Sequence, residues 1–339
     1  MHDRTMRRIR AGSSPGRPSR VVLHVGAPLV GSTYVREVLA RNRRRLTRHG
    51  VLHPSSHVGA EGHHAAVLDV LDLAAPGVET VAGAWERLAQ AGRDWRRGTV
   101  VVSHALLADA DEDQVARIVG SFGSAEVHVV YAARDLARQL PLAWQEWVRN
   151  GGTSGFEGYV DKVARHDGHR LARVFWRSHD VADVLTRWTS CVAPERVHVV
   201  TTPGGPDEDV VVWQRVAEVL GLDAGRYRTP APTDRSLEPL SATEAARLLN
   251  QAGAPRLPRA VAHAVTGPTP AVAAEHAEWL EAEAERAITA VKRLGCAVLG
   301  DVTDLRPAHD ALTDDPARVT PPPEAVVAAQ TTLLAALLR

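Results

Sequence analysis

The chain has 339 residues, 45% of them hydrophobic, enough to bury a sizeable core in one large domain or two ordinary ones. Its 40 basic and 40 acidic residues give a formal net charge of zero, so bulk electrostatics call for neither nucleic acid nor an anionic membrane as partner. Two distant cysteines, Cys191 and Cys296, exclude a disulfide framework and point to a reducing cytoplasm, and no stretch approaches the roughly 20 apolar residues of a membrane helix.

Residues 1–20 form an arginine-bearing tail, and the apolar run after it is too short for a signal peptide, so the tail is expected to be disordered and retained. Val21 to Val25 is apolar and β-branched, interrupted by His24, and reads as a buried strand. A turn bearing Gly26, Pro28 and Gly31 follows, and Ser32-Thr33 opens a segment of helical periodicity reaching about His49. Such a strand, turn and helix N-terminus aim several backbone N–H groups and the positive end of a helix dipole at one point, which suits an anion. Arg41, Arg43, Arg44 and Arg45 crowd the end of this helix, where cations complement the dipole.

Residues 51–64 are loop-like and hold His53, His57, His63 and His64, whose spacing matches no closed tetrahedral metal site. Helices are expected over 65–73, 79–93 and 112–122, and buried strands over 99–103 and 127–131. Ser103-His104 and Arg134 stand at the carboxyl ends of those strands, beyond which open parallel sheets bind their ligands. From 156 to 188 the pattern is helical and aromatic-rich, with Asp180 as an N-cap, His179 beside it, and Trp144, Trp147 and Trp176 assigned to the core. A fourth strand, 197–201, precedes Pro203-Gly204-Gly205-Pro206, and helices over 209–220, 241–251 and 275–294 complete the body. Residues 305–323 read as extended and 324–338 as a last helix. Strands alternating with helices predict a three-layer α/β fold around a central parallel sheet over 21–305, with 306–339 packing on the same domain.

The turn Pro28-Leu29-Val30-Gly31-Ser32-Thr33 resembles the 5′-phosphosulfate loop of the sulfotransferase superfamily. Ser103-His104, Arg134-Asp135-Leu136-Ala137-Arg138, Phe175-Trp176, Arg196-Val197-His198-Val199-Val200 and Ser236-Leu237 follow in the order of its bacterial branch. The resemblance covers roughly residues 21–240. It implies a P-loop-like fold that binds 3′-phosphoadenosine-5′-phosphosulfate and passes its sulfuryl group to a hydroxyl or amine of a small molecule. On that frame Gly26, Pro28, Gly31, Ser32, Thr33 and Tyr34 belong to the phosphosulfate cradle. Arg134 grips the 3′-phosphate, and His104 takes the place of the catalytic histidine of cytosolic sulfotransferases. No metal, nucleic acid or membrane is implied.

The chain departs from the family pattern at three polar positions. The family loop usually reads Pro-Lys-Thr-Gly-Thr-Thr, and Leu29 replaces the lysine. Leu142 stands where a serine helps hold the 3′-phosphate, and Ala105 where the phrase Ser-His-Glu is common. Losing one preorganised donor at a developing charge costs about 10²–10³ in turnover, roughly 3–4 kcal/mol. The only lysines, Lys162 and Lys292, are far from the loop in sequence. Two expectations therefore stand: a cytoplasmic sulfotransferase, or a catalytically inactive binding or scaffolding protein on the same fold. A guanidinium from Arg36 or another distant arginine pointing into the loop marks the first, and an apolar plug of Leu29, Val30 and Leu142 marks the second. A P-loop phosphotransferase is disfavoured because the loop lacks the Gly-Lys-[Ser/Thr] ending.

Overall fold

Strands flanked by helices on both sides must hide both faces, which requires unbroken apolar runs rather than alternation. The structure is a computed structural model describing residues 20–54, 62–73, 82–96, 98–166, 168–230, 237–253 and 265–337. Its first half contains β1 (Arg20–Gly26), α1 (Ser32–Arg41), α2 (Arg43–Arg48), β2 (Val51–Leu52), α3 (Gly62–Val70), α4 (Ala84–Asp94), β3 (Thr99–Ser103), α5 (Glu112–Gly120) and β4 (Glu126–Ala132). There follow α6 (Leu136–Arg149), α7 (Phe156–Arg165), α8 (Arg170–His179), α9 (Val181–Thr189), β5 (Val197–Val200), α10 (Glu208–Val219) and α11 (Leu240–Gln251). The chain ends in β6 (Val272–Ala273), α12 (Ala277–Leu294), β7 (Ala297–Leu299), β8 (Leu312–Thr313) and α13 (Pro323–Leu337).

Six strands form one sheet in the order β2-β3-β1-β4-β5-β7, and every neighbouring pair is parallel. The three-layer α/β architecture expected from the sequence is present. Val21, Val22, Leu23 and Val25 of β1, Val100 to Val102 of β3 and Val129 and Val130 of β4 are fully buried. Side chains of this kind contribute about 1.5–3 kcal/mol each when removed from water. From β1 the chain first moves to one side of the sheet and later returns to place β4 on the other, so the order reverses at the carboxyl end of β1. A second apolar cluster, including Trp144, Phe156, Tyr159, Phe175 and Trp176, joins α6, α7 and α8. Near the end of the chain, Ala329 and Leu333 of α13 pack with Ala242 and Ala245 of α11.

Several elements differ from expectation. The helix expected to reach His49 is two helices, because buried Asn42 caps the end of α1 and the start of α2. Arg41 is the basic residue in the last turn of α1, and Arg43 and Arg44 open α2, where a cation gains nothing from the dipole. The dipole explanation for the arginine run fails at those two positions. The segment 156–188 contains three helices, and Asp180 caps α9 as expected, accepting from the Asp183 N–H at 3.0 Å. Strands β2, β6, β7 and β8 have only two or three residues each, too few for a period to show in sequence. The tail through residue 19, His57 and the start of the helix expected at 79 lie outside the described residues.

Candidate functional site

A cleft of about 1320 Å³ lies beyond the carboxyl ends of β1, β3, β4 and β5. That is where an open α/β sheet binds ligands. Pro28, Leu29, Ser32 and Thr33 line it, and the first N–H groups of α1 have no acceptor within the helix. The loop is fastened from behind: the Ala27 N–H donates to the Ala132 carbonyl at 2.7 Å, and the Gln139 amide to the Pro28 carbonyl at 3.2 Å.

Gly31 has φ 65°, and a Cβ there would stand 2.7 Å from Val212 Cγ1, so α10 packs closer than a side chain permits. A Cβ on Gly26 would meet the Ala105 carbonyl at 3.2 Å. These two glycines shape the loop by close packing, and neither they nor Tyr34 line the cleft. Tyr34 is buried in the main core.

Arg134 follows β4 and lines the cleft, with its side chain only 7% exposed. Its guanidinium donates to the Leu29 carbonyl at 2.9 Å and pairs with Glu208, the first residue of α10, at 2.8 Å. Burial pushes the Glu208 carboxyl up, and the charge of Arg134 pulls it back. An internal carboxylate thus engages the fork that the resemblance assigns to a 3′-phosphate. Leu29 and Leu142 both line the cleft, and Val30 is buried. Arg36 is exposed and is not part of the lining.

Of the other cleft cations, Arg149 pairs with Glu146 at 2.8 Å and Glu238 at 3.1 Å, and Arg170 is exposed. Asp109, Glu146, Glu208 and Asp209 bring four carboxylates to the same surface. A donor carrying a phosphosulfate and a 3′-phosphate does not fit this charge distribution, because few cations in the cleft are uncommitted and burying like charges together is costly.

His104 is buried outside the cleft lining. Its Nδ1 accepts from the Leu106 N–H at 3.3 Å, and its Nε2 lies 3.2 Å from His64 Nδ1, with the rings stacked at 5.2 Å. The neutral tautomer consistent with that network carries its proton on Nε2 and donates to His64, leaving neither nitrogen open to a substrate. Burial, followed by the charges of His64, Arg36 and His63, holds its pKa down to about 3. That is far below the range of an effective base at neutral pH.

The neighbouring histidines are anchored to backbone: His63 Nε2 lies 2.8 Å from the Pro54 carbonyl and His53 Nδ1 3.2 Å from that of Val101. Among the described residues, no three His, Cys, Asp or Glu side chains converge as metal ligands.

The acidic group best placed in the cleft is one the sequence does not single out. Asp109 ends the 3₁₀ turn that follows His104 and lines the cleft, with Oδ1 buried and lacking a hydrogen-bond partner. Burial raises its carboxyl to about 6, opposed by the charges of Arg177 and Arg187 and a hydrogen bond from Ser178. Buried Arg187 fixes the turn by donating to the Ala108 carbonyl at 2.9 Å, to that of Ala110 and to that of Arg177 at 2.6 Å. His179 also lines the cleft, kept neutral by burial and by Arg134, which hold its pKa down to about 3.

Leu29, Leu106, Leu142, Tyr159 and Phe175 supply apolar lining around these groups. Strand-end location applies to Asp109 and Glu208 as much as to His104 and Arg134, but no pattern in the sequence marks an acid on a 3₁₀ turn or at the start of α10.

No protein-family model matches the chain, and no curated protein matches it. Among solved structures, a sulfotransferase from Alicyclobacillus acidocaldarius is similar at 16% identity and a TM-score of 0.40, covering 71% of this chain and 97% of that one. The assignment of the cleft rests on its own residues.

Proposed function

We propose that this chain is a catalytically inactive binding protein built on a sulfotransferase-type fold. The observation that carries this reading is the buried Arg134–Glu208 pair, with Leu29 and Leu142 lining the same cleft. The positions that would hold a sulfonucleotide are taken by an internal carboxylate and two apolar side chains. The cleft instead suits a small molecule with an apolar body and an amine or hydroxyl directed at the Asp109 carboxyl on its lining.

A second reading, transfer of a sulfuryl group from 3′-phosphoadenosine-5′-phosphosulfate to a small-molecule hydroxyl or amine, is favoured by Ser32 and Thr33 of α1, which still stand at the cleft. Calorimetric titration with adenosine 3′,5′-bisphosphate separates the two. The inactive reading expects no saturable heat from the natural chain. It also expects binding to emerge when Leu29→Lys, Leu142→Ser and Glu208→Gln are combined, which restores the polar contacts and frees Arg134. Micromolar binding by the natural chain, or sulfuryl transfer from the labelled donor, sinks it.

A further inference from the structure

Away from the cleft, the α1–α2 corner forms a groove of about 760 Å³. Helix α1 begins at the carboxyl edge of the sheet and its ten residues run about 15 Å back, so the corner lies at the amino edge. Arg41, Arg43, Arg44, Arg45, Arg48 and Arg228 line the groove, and among the described residues no acidic side chain does. All six are exposed. Arg41 has a loose ion pair with Glu37 at 3.5 Å, and among the described residues the other five have none. In a chain whose basic and acidic residues balance at 40 each, six guanidinium groups around one concavity, with no carboxylate among the described lining residues, are a local concentration of charge.

The groove is built rather than a chance crowding of long side chains. Buried Asn42 accepts from the Arg228 N–H at 3.0 Å and donates to the Arg228 carbonyl at 2.7 Å and the Val38 carbonyl at 2.8 Å. Its carboxamide therefore locks together two segments 186 residues apart. Tyr227 adds a second tie, its hydroxyl lying 2.7 Å from His49 Nδ1 while the Arg45 guanidinium sits 5.8 Å over its ring. Arginines that carry no ion pair and sit on a braced backbone remain available to a ligand.

We propose that this groove binds a linear chain of three or more phosphate groups. Planar guanidinium forks match phosphate oxygens two at a time, and several around one concavity favour a multivalent anion over a single phosphate. Of the aromatic rings at the groove, Tyr227 is buried beneath Arg45, and the exposed imidazole of His49 is tied by Nδ1 to the Tyr227 hydroxyl at 2.7 Å, so among the described residues no Trp, Tyr or Phe ring lines the groove to stack a base. Recognition is therefore of the phosphate chain itself, whether it belongs to a nucleotide or to inorganic polyphosphate. The site is independent of the cleft and of the function assigned there.

The test is calorimetric titration of the full chain with sodium tripolyphosphate, orthophosphate, ATP and a short DNA duplex at moderate salt. Tripolyphosphate is expected to bind saturably and far more tightly than orthophosphate. Arg43→Ser should weaken it about tenfold and the Arg43→Ser, Arg48→Ser double variant about a hundredfold, with the circular dichroism unchanged. ATP binding as tightly as tripolyphosphate supports a nucleotide source, and weaker ATP binding supports inorganic polyphosphate. Absence of saturable binding, equal affinity for orthophosphate, binding that survives both variants, or preference for the duplex overturns the proposal.

Discussion

The cleft and the α1–α2 groove both contain arginine, and they use it in opposite ways. In the cleft, Arg134 is buried against Glu208, and Arg149 is shared between Glu146 and Glu238. In the groove, six exposed arginines line one concavity braced by Asn42, with one loose ion pair among them within the described residues. A cation already neutralised by a buried carboxylate is part of the fold, while a cation held without a partner is available to a ligand. The region whose position resembles an anion site is poor in free positive charge, and the region that resembles nothing is rich in it.

Removing the buried cation gives the largest expected effect. Arg134→Ala leaves Glu208 buried and uncompensated, and should cost about 3–5 kcal/mol in urea denaturation. Adding Glu208→Gln should return much of that loss; an Arg134→Ala variant as stable as the natural chain would break the contrast between structural and available arginines.

A pH titration sharpens the same contrast, because buried bases resist charge that exposed ones accept. His24 and His63 are held down to about 4, and His104 and His179 to about 3, by burial above all. The unfolded chain takes up those protons near the ordinary histidine value, so the stability contributed by neutral burial is complete above about pH 6.5 and is lost as pH falls through 4 toward 3. Between pH 7 and pH 5 the unfolding free energy should drop by at least ~2 kcal/mol. A flat profile over that interval would place these rings in contact with water.

Asp109 has the opposite sign. Its folded carboxyl is raised to about 6, so its contribution is present below the ordinary aspartate value and lost as pH rises through 6. Asp109→Asn should therefore stabilise the protein by ~1 kcal/mol in urea denaturation at pH 7 and not at pH 4. The smallest expected effect belongs to the groove. Arg43→Ser with Arg48→Ser should change stability by no more than ~0.5 kcal/mol, since neither side chain is buried or ion-paired. A larger loss would show that the groove arginines hold structure rather than ligand.

Much of the fold was legible in the sequence. The long strands β1, β3 and β4 are near-continuous apolar runs, broken by His24 in β1 and His128 in β4, as a doubly covered parallel sheet requires, and Asp180 carries the chemistry of a helix cap on its face. Strands β2 and β7 escaped because two or three residues cannot display a period, and their place is fixed by pairing with β3 and β5. The break at Asn42 escaped as well, because what ends α1 there is a carboxamide bonded to the remote Arg228 backbone.

At the cleft, the loop between β1 and α1 and the strand-end position of Arg134 were visible in the chain. The commitment of Arg134 to Glu208, the burial of Tyr34, the turning of His104 toward His64 and the exposure of Asp109 to the cleft were not. Apolar periodicity by itself determined the layers and the edge of the sheet at which the cleft opens, because burial is a property of runs of residues. Which charges remain uncommitted there was decided only by tertiary structure, because an ion pair joins residues that sequence holds far apart and burial sets whether the pair can open.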